Sequence, residues 1–195
     1  VLIYSFLLLN FDVQEKIMKN KILVLRNLTL FSASLFVMNS CSSIPKGALV
    51  IQDFDQEKYL GNWYEIARMD FVFQKNLSNT TAEYSLNEDG TIKVVNRGFN
   101  YIKNEYVAAT GKVKFAGDSN EGKLKVSFFG PFYSGYNIIA LDSDYKYALV
   151  AGKSLKYLWL LSREKTMPQD VKEEYLKKAK DLGYNTSELI WVKHN

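Results

Sequence analysis

The residue types that most often carry catalysis or hold metals are scarce here: 195 residues contain one cysteine, Cys41, and one histidine, His194. A nucleophile needs a base within hydrogen-bond reach, and His194 sits beside the last residue given, where chains are least anchored. One cysteine and one histidine cannot supply a nitrogen- and sulfur-rich zinc site, His194 is badly placed as an axial haem ligand, and no glycine-rich phosphate loop follows a strand. Catalytic residues, a metal and a cofactor are therefore not expected. Glu65 is the one acid that strand alternation turns inward. It is either a buried carboxylate with a raised pKa or a side chain hydrogen-bonded near a wall. What remains is the chemistry of binding.

Residues 59–68 read Tyr-Leu-Gly-Asn-Trp-Tyr-Glu-Ile-Ala-Arg. Gly61 permits a sharp turn or a close backbone approach, and Trp63 then opens a strand. A two-residue period puts Trp63, Glu65, Ala67 and Met69 on one face, with Tyr64, Ile66 and Arg68 on the other. A second strand, Tyr-Leu-Trp-Leu-Leu-Ser-Arg at 157–163, carries Tyr157, Trp159, Leu161 and Arg163 on one face. If the two strands meet, the Arg163 guanidinium can stack on the Trp63 indole, a contact of roughly 1–2 kcal/mol when desolvated, and close one end of a barrel.

The rest of the chain supplies the staves. In residues 81–86 Ala82, Tyr84 and Leu86 share a face, and Asn-Glu-Asp-Gly at 87–90 is a hairpin turn before a strand over 92–99. Residues 109–115 turn Ala109, Gly111, Val113 and Phe115 one way and Thr110, Lys112 and Lys114 the other; after a turn at 117–122, Leu124, Val126 and Phe128 alternate with Lys123, Lys125 and Ser127. Apolar inside and charged outside is the reverse of a membrane-spanning barrel, so water surrounds this one. Strands over 137–141, 147–151 and the Trp159 run bring the number to about eight, joined mainly by hairpins, which can close into an up-and-down barrel with room for one small ligand. Residues 166–169, Thr-Met-Pro-Gln, read as a capping box opening a helix. Val171, Tyr175, Leu176, Ala179 and Leu182 form its apolar stripe, which needs a surface such as Leu149, Leu158 and Leu160, and residues 189–192 add an edge strand. The predicted class is all-β: an eight-stranded antiparallel up-and-down barrel with one C-terminal helix packed outside.

In such a barrel the small residues Ala67, Ala82, Ala109, Gly111 and Ala148 clear a volume that Met69, Tyr84, Val113, Val126, Phe128, Val150, Tyr157 and Trp159 line. An apolar hole binds alkyl chains at roughly 0.8 kcal/mol per buried methylene. The greasy connection over 71–77 is either the rim of that hole or a loop folded on the core exterior. Arg68, Lys75, Lys103, Lys153 and Lys156 are placed near the open end, either as contacts for a phosphate or carboxylate head group or as solvated surface charges.

These two motifs resemble the lipocalin family. Together with Val-Ser-Phe-Phe-Gly-Pro-Phe-Tyr at 126–133, Tyr-Asn-Ile-Ile-Ala-Leu-Asp at 136–142 and Glu-Leu-Ile-Trp-Val at 188–192, they are similar in particular to the bacterial outer-membrane lipocalins, lipid-anchored relatives of apolipoprotein D. The likeness runs from about residue 53 to 192. It implies a lipocalin barrel that binds lysophospholipids or fatty acids for storage, transport or repair of envelope lipids, and is not an enzyme. It also implies a possible homodimer, which Phe132 and Tyr133 could support. Two alternatives stay open, a lipid-modifying enzyme on the same fold and a structural envelope lipoprotein with a filled barrel.

The amino-terminal segment has the layout of an export signal. From Met18, a possible true start, Lys19, Lys21 and Arg26 precede the apolar run 28–37, which is too short to span a bilayer. Residues 1–17 are then upstream sequence or an extension of the basic region. Ser40 and Cys41 resemble a bacterial lipoprotein cleavage box, although Met38 stands where leucine is usual. That resemblance implies diacylglycerol on the Cys41 thiol, an acyl chain such as palmitate on the new amino terminus, and, with Ser42 next, an outer-membrane address with the barrel facing the periplasm. The expected parts are a signal segment at 1–40, a lipidated tether at 41–52 and a barrel at 53–195. The formal charge of +4 is too small to argue for nucleic acid.

Overall fold

The computed structural model describes residues 43–195, so the expected signal segment and Cys41 lie outside the described residues. Asp55 starts the ordered core by capping helix α1 (Gln56–Tyr59), its side chain accepting from the Glu57 and Lys58 amides. Strand β1 (Gly61–Arg68) follows, then a single 3₁₀ turn (Val72–Gln74), β2 (Leu77–Leu86), β3 (Ile92–Asn100), β4 (Glu105–Phe115), β5 (Lys123–Phe129), β6 (Phe132–Leu141), β7 (Tyr147–Ala151) and β8 (Leu158–Ser162). Each strand pairs antiparallel with the next, and β1 pairs with both β2 and β8, so the sheet has no free edge. Helix α2 (Gln169–Asp181) and a short strand β9 (Ile190–Trp191) complete the chain.

A bulge in β1 decides which residues face the interior. Glu65 opposes Leu161 but Ala67 opposes Leu160, so Ile66 is an extra residue and the alternation reverses after it. Trp63 and Glu65 face inward, and so does Arg68, which opposes Trp159. Ala67 and Met69, expected in the cavity, instead belong to the outer cluster with Leu149, Leu158 and Leu160. Arg68, expected at a solvated rim, is turned into the barrel with 1% of its surface exposed.

Helix α2 buries Tyr175 and Ala179 in that outer cluster, with Val171, Leu176 and Leu182 partly covered. Its start differs from the expected capping box: Pro168 is the cap residue and no side chain caps it. A residue before proline disfavours helical angles, which delays the first turn past Met167. The end is a Schellman arrangement, Gly183 N–H donating to the Lys180 carbonyl and Tyr184 N–H to that of Ala179, with Gly183 at φ +93°.

The carboxyl-terminal strand is not an ordinary edge. β2 meets β1 only from Gly61 opposite Tyr84 to Tyr64 opposite Thr81, and beyond that the two diverge. β9 pairs with Ala67 and Arg68. Val192 N–H then donates to the Ile66 carbonyl, and Asn79 N–H of β2 to the Lys193 carbonyl. The last residues are therefore a wedge that closes the seam toward the open end. Of the expected tether, residues 43–52 lie against the wall: the Asn137 amide donates to the Ser43 carbonyl, and Ile51 exchanges bonds with Ile138 and Gly122.

Truncation after Leu189 removes the acceptor of the Asn79 amide and leaves the opposite end of the barrel intact. Hydrogen exchange is expected to show Asn79 losing protection while Tyr84 and Val94 keep theirs.

Candidate functional site

The closed end is built on Arg163. Its guanidinium carbon lies 3.9 Å from the Trp63 ring centre, and its three nitrogens reach three carbonyls: Nη1 to Asn62 at 2.9 Å, Nη2 to Lys58 at 2.8 Å and Nε to Tyr145 at 3.1 Å. One side chain thus ties together α1, β1 and the β6–β7 turn. Gly61, at φ +93°, lets the backbone pass, and a Cβ there would meet Arg163 Nη1 at 3.4 Å. The Trp63 indole donates to the Tyr59 carbonyl at 2.9 Å.

Above this floor three buried phenols meet. The Tyr136 hydroxyl is 2.7 Å from that of Tyr59 and 2.8 Å from that of Tyr84. Burial pushes all three pKa values upward, because a phenolate there would lose its water. Tyr84, Val113, Ala148 and Val150, expected to line the cavity, are between 0% and 5% exposed and pack with Trp63 and Tyr136 in the inner cluster. They are packed within that cluster rather than bordering open space. Gly111 does not clear volume either, since the Phe128 ring lies 2.9 Å from where its Cβ would be.

Other inward residues are less fully covered. Ala82, Val126 and Trp159 are partly covered members of the inner cluster. Ala109, inward by register and opposite Asn96, is exposed. Glu65 and Arg68 form a buried ion pair at 2.7 Å, and Thr80 donates to the same carboxylate oxygen at 3.2 Å. The other carboxylate oxygen accepts from the Gln74 side chain at 2.7 Å, and the Gln74 side-chain oxygen accepts from the Trp159 indole at 2.9 Å. Arg68 Nη2 also donates to the Gln74 carbonyl at 2.7 Å. Glu65 is thus the hydrogen-bonded wall residue of the two readings, and its partner is the arginine that the bulge turned inward.

This cluster clasps the loop between β1 and β2 across the mouth. Phe71 packs against Tyr157 of the β7–β8 turn at 5.4 Å between ring centres, and Phe73 reaches Phe129 at the β5–β6 hairpin at 5.9 Å. Of the two readings of this greasy connection, it is the rim. Tyr157 precedes β8 and stands in that rim, stacked on Trp159 at 6.4 Å. Lys75, Lys103 and Lys156 lie exposed in open-end loops, Lys103 within 3.8 Å of Glu105. Lys153 instead borders a recess of about 500 Å³ outside the barrel, with Ile44, Pro45 and Leu182. Phe132 is exposed, whereas Tyr133 is half-covered beneath Lys114.

Gln74, Thr80, Tyr59 and Tyr136 are site residues that sequence reasoning missed. Nothing in spacing marks Gln74 or Thr80. Tyr59 and Tyr136 each open a quoted motif, and an inward tyrosine needs a partner for its hydroxyl, which was the available signal.

An all-antiparallel eight-strand barrel with an outer C-terminal helix, a tryptophan–arginine floor and a looped-over mouth is the architecture of a lipocalin. The lipocalin-like domain family matches residues 54–194, and the chain belongs to it. The outer membrane lipoprotein Blc of Citrobacter freundii is 48% identical over 160 residues, covering 81% of this chain and 90% of the relative, and that of Escherichia coli K12 is 47% identical over 159 residues. Rat apolipoprotein D is 34% identical over 143 residues, covering 69% of this chain and 72% of its own length. Among solved structures, insecticyanin of the tobacco hornworm Manduca sexta superposes with a TM-score of 0.64 at 21% identity, over 77% of this chain and 86% of that one, which is a likeness of fold alone.

Arg68→Met leaves Glu65 charged and unpaired, and is expected to cost about 3–5 kcal/mol in denaturant unfolding. Adding Glu65→Gln is expected to recover most of it, while Trp159 emission shifts to the red in both as the clasp on Gln74 loosens. The phenols give a separate test. Their folded pKa values lie above the unfolded value of about 10, so stability is full below that pH and falls as pH rises above it. Tyr84→Phe is expected to flatten the alkaline fall in melting temperature.

Proposed function

We propose that the barrel holds a single-chain lipid, a lysophospholipid or a fatty acid, with its tail in the upper half beneath the β1–β2 loop. The protein is a membrane-associated, lipid-binding lipocalin of the outer-membrane lipoprotein group. The choice of ligand rests on one observation: the only buried charged side chains among the described residues, Glu65 and Arg68, stand inside the barrel and neutralise each other at 2.7 Å. An alkyl chain entering there meets Phe128, Trp159 and the underside of Phe71 without an uncompensated charge, and each methylene it buries contributes roughly 0.8 kcal/mol. The tail needs no polar contact; Lys75, Lys103 and Lys156 at the mouth suit an anionic phosphate or carboxylate head.

The reading is of a carrier, not an enzyme. His194 Nε2–H donates to the Glu65 carbonyl at 2.8 Å, and its ring packs edge-on against Tyr64, on the outer side of β1. The lipid-modifying alternative would need a nucleophile inside the barrel, and Cys41 precedes it in the chain. In the same reading Cys41 carries the acyl anchor, and the protein stores or moves lipids between envelope surfaces.

Native mass spectrometry of detergent-free protein is expected to retain one lipid per barrel. Titration with a lysophospholipid should change Trp159 emission, and Phe128→Asp, which places a charge beneath the loop, should weaken binding at least tenfold. Saturable uptake unchanged by Phe128→Asp would place the ligand elsewhere.

A further inference from the structure

The two ends of the barrel differ in both polarity and charge. Six large apolar side chains, each at least 68% exposed, cluster in or beside the open-end loops: Val72, Phe73, Ile102, Tyr106, Phe129 and Phe132. Among the described residues the closed-end loops offer only Leu86, at 47%, while Leu49, at 81%, stands on the segment along the outer wall. Contiguous apolar groups facing water mark a contact surface. Charge runs the same way. The open-end loops, residues 69–76, 101–104, 130–131 and 152–157, hold four lysines against Asp70 alone, a net +3. The closed-end segments, residues 53–60, 87–91, 116–122, 142–146 and 163–165, hold ten acids against four bases, a net −6.

The first described residues lie on the outer wall. Ile44 and Pro45 border Ser154 and Leu155 of the β7–β8 turn, and Ser43 is held by Asn137, which is paired with the last residue of β7 and the first of β5. From there the segment descends the wall until Phe54 N–H donates to the Asn120 carbonyl in a closed-end turn.

We propose that the barrel docks mouth-first on an anionic lipid bilayer, with the exposed apolar residues of the mouth in the interfacial layer and Lys75, Lys103 and Lys156 among the head groups. Apolar burial with flanking lysines is the combination that holds proteins at such surfaces. The −6 end is repelled from the same surface, so the field of the molecule orients it before contact. A lipid then passes between bilayer and barrel beneath the loop without crossing water. The inference builds on the lipid-carrier reading, but concerns orientation, and the two can fail separately.

The test uses the anchored protein in vesicles containing phosphatidylglycerol, with a polarity-sensitive dye on Val72→Cys or, at the closed end, on Ser143→Cys. Cys41, once acylated, leaves each new thiol as the single labelling site. The Val72 dye is expected to shift to the blue and to be quenched by a nitroxide lipid, and the Ser143 dye to do neither. Replacing Lys75, Lys103 and Lys156 together by glutamate should abolish the difference. Equal emission from both dyes overturns the proposal. So does a blue shift at Val72 without vesicles accompanied by a doubled mass, which would assign the patch to a second copy. If Cys41 takes no lipid, the dyes are read on vesicles added to the unanchored chain: docking at Val72 there supports the orientation while the anchor fails, and its absence sinks both. Lipid occupancy by native mass spectrometry reports the carrier reading independently.

Discussion

A barrel of eight short strands has one end at which its staves must be tied, and here a single guanidinium does most of the tying. Arg163 lies over Trp63 and donates to carbonyls from three separate elements, helix α1, β1 and the β6–β7 turn. Arginine suits this because its planar fork presents donors in several directions while its face remains free to stack. Everything above follows from that seal. The phenols of Tyr59, Tyr84 and Tyr136 can stay buried and neutral within the inner cluster.

The opposite end is held by a different device. An ion pair buried inside a lipid-binding barrel is a poor source of stability, since desolvating both charges offsets much of their attraction. Glu65 and Arg68 are better understood through what they hold. Gln74 bridges from their carboxylate to the Trp159 indole, and its backbone carbonyl accepts from Arg68, so the β1–β2 loop is fastened over the mouth by polar contacts that leave its aromatic underside free. The closed end is thus held by packing, and the open end is shut by a few hydrogen bonds, which makes it the lower-stability part. The asymmetry of packing runs parallel to that of charge and exposed apolar surface.

Much was legible beforehand because it depends on short-range periodicity. Alternation in residues 81–86, 109–115 and 124–128 defined strands and their inner faces, and the stripe of α2 named the wall it covers, Leu149, Leu158 and Leu160. The relation of Trp63 to Arg163 was readable because a large aromatic and an arginine at matching ends of two strands have few other ways to be satisfied. The placement of Ala67, Met69 and Arg68 was not readable. A two-residue period assumes an unbroken ladder, and the extra residue at Ile66 is visible only as a mismatch between β1 and β8.

The sequence by itself therefore determined the class of fold, the chain order of the strands and the outer helix, since all of these follow from which side chains avoid water at a fixed local spacing. Tertiary structure alone decided which arginine points inward, what the mouth loop is fastened to, and that the carboxyl-terminal residues fill the seam between strands β1 and β2. Those outcomes depend on contacts between residues far apart in the chain, Gln74 with Trp159 and Asn79 with Lys193 among them, and no local pattern encodes such distances.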